Sequence, residues 1–187
     1  MLLVQIAPPA LAEDVLDLPP FDASGPVYVR PATIADMLQV EPMINGFAAQ
    51  NLMLPKTREQ LVRLFREFVV AADEHGRVVG CGGLRIFSPT LAEVISLAVD
   101  PVTQGTGIGG RIVDRLVEDA EMLGITTVFA LTLRDGFFHR LGFRTVPKEM
   151  FPAKVWSDCR NCPKLTACDE IAVVKEVRGM SEASHWE

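Results

Sequence analysis

Val94-Ile95-Ser96-Leu97-Ala98-Val99, then Asp100-Pro101-Val102-Thr103, then Gln104-Gly105-Thr106-Gly107-Ile108-Gly109-Gly110, is the stretch whose reading decides the fold. The apolar run reads as a buried strand, the glycines as a turn, and the residues from Ile108 as the start of an amphipathic helix. Four glycines in residues 105–110 remove Cβ atoms that would hold a ligand away from the backbone. The N–H groups that open the helix lack intrahelical partners and sit at the positive end of its dipole, an arrangement suited to a pyrophosphate. Glycine-rich turns before helices also occur as plain connections, and composition alone leaves both readings open.

Spacing narrows the choice. Gly105, Gly107 and Gly110 match Gly-x-Gly-x-x-Gly, but residues 100–104 separate them from the strand, and Leu131, about 20 residues on, is no ribose-binding acid. A nicotinamide cofactor is therefore not expected. A nucleotide-triphosphate loop needs Gly-Lys followed by Ser or Thr, whereas Arg111 and Ile112 follow Gly110.

Gln104, Gly107 and Gly109, following Leu97-Ala98-Val99-Asp100-Pro101, match the Gln/Arg-x-x-Gly-x-Gly/Ala signature of the GNAT acetyltransferase family, which the chain resembles. A strand over residues 127–133 and Phe137-Phe138-His139-Arg140-Leu141-Gly142-Phe143 resemble that family's Tyr-x-x-x-Gly-Phe segment. The resemblance implies acetyl-CoA as co-substrate. Its pantetheine arm would lie on the backbone of Leu97, Ala98 and Val99, and its pyrophosphate on Gln104, Gly105, Thr106, Gly107, Ile108, Gly109 and Gly110. Phe138 stands where many relatives carry a Tyr that protonates the leaving thiolate. Water and Asp135 are the remaining candidates for that proton.

Residues 30–36, 52–61, 92–99 and 151–156 further resemble the acetyltransferase domain of bacterial N-acetylglutamate synthases of the short, stand-alone type. The resemblance covers residues 27–177. It implies transfer of an acetyl group to the α-amine of L-glutamate by direct attack in a ternary complex, opening arginine biosynthesis. The ammonium group must lose a proton before its nitrogen attacks a thioester. Glu93, on the strand leading to the glycine turn, is the candidate base, acting through water as the family implies. A backbone N–H of Leu97 or Val99 is the candidate oxyanion donor. Glutamate's carboxylates call for cations, and Lys56, Arg58, Arg134 and Lys154 are the candidates. The same fold acting on another small amine or a protein N-terminus, and a non-catalytic acetyl-CoA sensor, are the rival readings.

The chain has 187 residues, 49% of them hydrophobic, and a net charge of −6. That length suits one domain with a substantial core. The acidic balance argues against nucleic acid as a partner. No stretch approaches the roughly 20 apolar residues of a membrane span. Met1-Leu2-Leu3-Val4-Gln5-Ile6 is apolar and precedes Ala10-Leu11-Ala12, but no Lys or Arg comes before it and Pro8-Pro9 interrupts it, so a signal peptide is not expected. A cytoplasmic location is the expectation. Edge strands and an exposed C-terminal segment would suit a homodimer.

Residues 1–26 contain Pro8, Pro9, Pro19, Pro20, Gly25 and Pro26 and read as an extension. The acetyltransferase domain is expected over residues 27–178 and a tail over 179–187. Val27-Tyr28-Val29-Arg30 reads as the first strand. Thr33-Ile34-Ala35-Asp36 reads as a capping signal before Met37, Val40, Met43, Ile44 and Phe47 at helical spacing, and Thr57-Arg58-Glu59-Gln60 as a capping box before Leu61, Leu64, Phe65 and Phe68. Strands over residues 69–73, 78–87 and 91–99, the glycine turn, a helix, the 127–133 strand, a short helix near residues 137–141 and a strand near 171–174 complete the order β-α-α-β-β-β-α-β-α-β. This predicts an α/β fold, a mixed sheet with helices packed on it. Cys159, Cys162 and Cys168 form Cys-x2-Cys-x5-Cys. A structural zinc with Asp169 or Cys81 as fourth ligand, a local disulfide and plain thiols all remain open for this cluster.

Overall fold

The computed structural model describes residues 25–151 and 167–178. The expected extension up to residue 24, the tail from residue 179, the 152–156 stretch with Lys154, and Cys159 and Cys162 lie outside the described residues.

Phe68-Val69-Val70-Ala71-Ala72-Asp73 is buried at every position. A strand without polar alternation needs cover on both faces, and this one has it. The strands are β1 (Val27–Pro31), β2 (Phe68–Asp73), β3 (Val78–Ser88), β4 (Leu91–Val99), β5 (Thr127–Thr132), β6 (Arg144–Val146) and β7 (Ile171–Glu176); the helices are α1 (Met37–Ala48), α2 (Arg58–Leu64), α3 (Ile108–Met122) and α4 (Asp135–Arg140). Among the described residues they build a seven-stranded sheet ordered β1-β2-β3-β4-β5-β7-β6. Every neighbouring pair is antiparallel except β4 and β5, which run parallel. The mixed sheet with flanking helices expected from the sequence is thus present.

One face carries α3. Ile108, Ile112, Val113, Leu116, Val117 and Ala120 are buried there, the residues the 3.6-residue spacing selects. Gly80 and Gly82 let the helix approach closely: a Cβ on either would stand 2.9 Å from the Ile112 side chain. The other face carries α1 and α2, with Met37, Val40, Ile44 and Leu61 fully buried against β2, β3 and β4. A smaller cluster stacks Phe151 on Phe129, ring centroids 4.2 Å apart. No helix among the described residues is long and apolar enough to cross a membrane.

Two local expectations are corrected. The sequence order omits β6, whose three residues are too short to show a period and gain their ladder only from β7, which comes later in the chain. The second helix stops at Leu64; a 3-10 turn over Phe65–Glu67 follows, and Phe68 begins β2. Thr57 and Gln60 form the expected capping box, and so does the Thr33 to Asp36 signal: Thr33 Oγ1 accepts the Asp36 N–H at 3.4 Å and the Asp36 carboxylate accepts the Thr33 N–H at 2.7 Å. The same carboxylate also accepts from both Arg30 terminal nitrogens at 2.7 and 2.9 Å, which ties the turn to β1.

Candidate active site

β4 and β5 pair at Leu91↔Thr127, Ala92↔Val128 and Glu93↔Phe129 and then part. The reason lies on the other side of β4. Cys81 faces Ala98 but Gly83 faces Ile95, so β4 carries an extra residue opposite β3. Ser96 absorbs it with φ 51°, a left-handed conformation uncommon outside glycine. The bulge bends β4 away from β5 and opens a cavity of about 700 Å³ between residues 94–99 and 130–133. Backbone that would otherwise complete a ladder faces this cavity, so an extended ligand with amide groups can pair with it.

The glycine turn forms one end. Gly107 caps α3 at φ 86° with no side-chain cap bond, and Gly105 also has positive φ, at 85°. The opening N–H groups of this helix therefore point at the cavity without a competing side chain, and can hold an anion. A Cβ on Gly109 would meet the Phe137 ring at 3.4 Å, which shows how closely α4 closes over the turn. Gln104 Nε2 donates to the Val99 carbonyl at 3.1 Å, and the Thr106 hydroxyl to the Thr103 carbonyl at 2.7 Å. Both side chains brace the turn.

Glu93 stands at the other end, on the last paired rung and only 9% exposed. Arg85, its register partner on β3, places Nη1 4.0 Å from Glu93 Oε2, a charge contact longer than a hydrogen bond. Lys56 lines the cavity on the α1/α2 side. Its backbone is gripped by Asn45 of α1, whose Oδ1 accepts the Lys56 N–H at 3.1 Å and whose Nδ2 donates to its carbonyl at 3.0 Å. Apolar Phe47, Leu52, Met53 and Leu54 complete that wall.

Of the residues selected from the sequence, Glu93, Leu97, Ala98, Val99, Gln104, Gly105, Gly107, Ile108, Gly109, Gly110, Phe138, Lys56 and Arg134 line this one cavity. Thr106 is outside its lining. So is Arg58, whose Nε donates to Glu41 Oε2 at 2.7 Å. Phe138 is also a core residue, 4% exposed and edge-on to Phe143. Ser96, Arg140 and Glu170 line the cavity without having been singled out. The one polar residue inside the apolar run of residues 94–99 was the available sign of Ser96; nothing local marks the other two.

Among the described residues no three potential ligands gather to hold a metal. Cys81 is fully buried in the core beside α1, and burial pushes its thiol up to about 12, against a weaker pull from the Ala98 backbone. A thiol held neutral in an apolar core is a poor zinc ligand. Cys168 receives a contact from Lys148 Nζ at 3.4 Å.

A family model described as the acetyltransferase (GNAT) domain matches residues 65–145. An uncharacterized N-acetyltransferase of Chlorobaculum tepidum is 42% identical over 147 residues, spanning 79% of this chain and 94% of the relative. The chain belongs to the GNAT acetyltransferase family. An amino-acid acetyltransferase of Mycobacterium tuberculosis is similar to this GNAT protein at 37% identity, over 71% of this chain and 78% of that one. Among solved structures, N-acetylglutamate synthase of Neisseria gonorrhoeae complexed with coenzyme A and N-acetyl-glutamate superposes with a TM-score of 0.73 at 26% identity. That match covers 81% of the GNAT chain and 35% of the synthase.

Proposed function

We propose that this protein transfers the acetyl group of acetyl-CoA to the α-amine of L-glutamate, the opening step of arginine biosynthesis. One observation carries the reading: a single cleft, opened where β4 leaves β5, has a buried carboxylate at its closed end and the bare N-terminus of α3 at the other. The names of the Mycobacterium tuberculosis and Neisseria gonorrhoeae proteins support the choice of an amino acid as acceptor.

In this reading the α3 N-terminus and Gly107 take the pyrophosphate, and the edge of residues 97–99 pairs with the pantetheine amides. Lys56 and Arg134 meet the acceptor's carboxylates. Glu93 removes the ammonium proton through a water, and the freed nitrogen attacks the thioester carbon. A backbone N–H of Leu97 or Val99 stabilises the oxyanion. As the carbon–sulfur bond breaks, the thiolate takes its proton from water, since Phe138 carries none to give.

The test is a panel of amino acids and amines offered with acetyl-CoA, following release of free CoA. L-Glutamate is expected to show the highest kcat/KM, and Glu93→Gln to lose most turnover while acetyl-CoA affinity holds. Turnover of cationic amines in preference to glutamate, or of no acceptor, overturns the reading. The engagement of Arg58 by Glu41 favours glutamine as a second acceptor, because it takes one expected cation away from the cavity wall. On that reading Arg58→Ala leaves the acceptor KM nearly unchanged.

A further inference from the structure

Glu93 belongs to a group of charges that extends behind the cavity wall. Arg85 lies directly across from it on β3, and the two side chains are 18% and 11% exposed. Glu67, in the turn just before β2, runs close by: a Cβ on Gly83, two residues from Arg85, would lie 3.4 Å from the Glu67 carbonyl oxygen. Its Oε2 is buried and accepts no hydrogen bond among the described residues. Of the three, only Glu93 lines the cavity. Register on neighbouring strands, rather than sequence proximity, brings them together.

We propose that Arg85 is a positioning residue that keeps the buried Glu93 carboxylate ionised and turned to the cavity, and that Glu67, sharing the same guanidinium, limits how tightly it is held. The inference rests on the reading of Glu93 as the base. A carboxylate withdrawn from water favours its neutral form, which accepts no proton, unless a positive charge stands beside it. A carboxylate gripped too firmly is a weak base. One guanidinium between two carboxylates meets both demands. In Glu67 itself burial raises the carboxyl above its usual range, and the charges of Arg85 and then Lys56 pull against that rise. The other charged side chains lining the cavity are Lys56, Arg134, Arg140 and Glu170, and Phe129, the β5 neighbour of Glu93, is uncharged.

The experiment is a carboxyl-carbon NMR titration of the full chain, with the Glu93 signal assigned by its loss in Glu93→Gln. Arg85→Gln is expected to move the Glu93 midpoint up by about one pH unit and Arg85→Lys to leave it within a few tenths, as charge rather than shape sets the effect. Glu67→Gln is expected to move it down. The acid limb of kcat/KM, measured with the best acceptor of the panel, follows the same three shifts. A Glu93 midpoint that is the same in wild type, Arg85→Gln and Glu67→Gln overturns the proposal, as does movement of both glutamine variants in one direction. Should Arg85→Gln fail to fold, the near-isosteric Glu67→Gln carries the test, and an unmoved midpoint overturns it. Wild-type turnover in Glu93→Gln removes the base reading, and with it the catalytic meaning of the pair; lost turnover there with unmoved midpoints removes only the role of Arg85 and Glu67.

Discussion

The side-chain amide of Asn45 satisfies both backbone polar groups of Lys56, at 3.1 and 3.0 Å, and so fixes an irregular segment against α1 at the cavity edge. A loop residue placed by two hydrogen bonds from a helix holds its direction as a helical residue would. Asn45→Ala removes both bonds, at a cost of about 1–2 kcal/mol of stability. If Lys56 meets the acceptor, KM for the acceptor rises several-fold in that variant while KM for acetyl-CoA stays nearly constant. Steady-state kinetics with each substrate varied in turn checks this.

Gly107 holds φ at 86° with open space where a Cβ would go. Gly107→Ala therefore meets no clash, only the backbone cost of a left-handed residue, about 1–2 kcal/mol. Where that strain pulls the α3 N-terminus out of line, acetyl-CoA binds more weakly. Calorimetric titration of acetyl-CoA is expected to show the loss, alongside a thermal midpoint lowered by about 2–8 °C.

A Cβ on Gly82 would lie 2.9 Å from Ile112 Cγ2, 3.3 Å from Leu116 and 3.4 Å from Leu97. The Cγ2 methyl of a β-branched residue cannot swing aside easily. Gly82→Ala is expected to cost about 1–3 kcal/mol through overpacking. Ile112→Ala in the same chain frees the space, so the double variant loses less than the sum of the two single changes; denaturant unfolding of all four proteins measures that coupling.

Asp36 is pushed upward by burial, but the Arg30 guanidinium and the Thr33 donors overcome that and hold its carboxyl below the usual range. A group with a depressed folded value stabilises the fold above its unfolded pKa and loses that stabilisation as pH falls through the folded value. Stability is thus expected to decline below about pH 4. In Asp36→Asn the protein is less stable near neutrality and its stability varies less with pH across that acid range. Urea unfolding between pH 3 and 7 gives the comparison.

The α3 face, the Thr57 capping box and the glycine turn were legible because each depends on residues within one or two turns of one another. The surroundings of Arg58 were not legible, for the opposite reason. The resemblance implies a ligand cation there, and Glu41, 17 positions away, accepts from its Nε. The Thr33 to Asp36 signal was legible, but the Arg30 guanidinium that also binds the Asp36 carboxylate comes from β1.

Sequence by itself determined the mixed sheet, which rests on local periodicity, and the family, which rests on contiguous motifs; the resemblance those motifs carry selected Glu93 as the candidate base. Tertiary structure alone decided where β4 leaves β5, that β6 joins the sheet beside β7, that Asn45 aims Lys56, and that Arg85 stands opposite Glu93. Those features depend on register between strands and on side chains meeting across the sheet. A single-residue bulge at Ser96 changes which groups face each other, and periodicity along one strand does not register that shift.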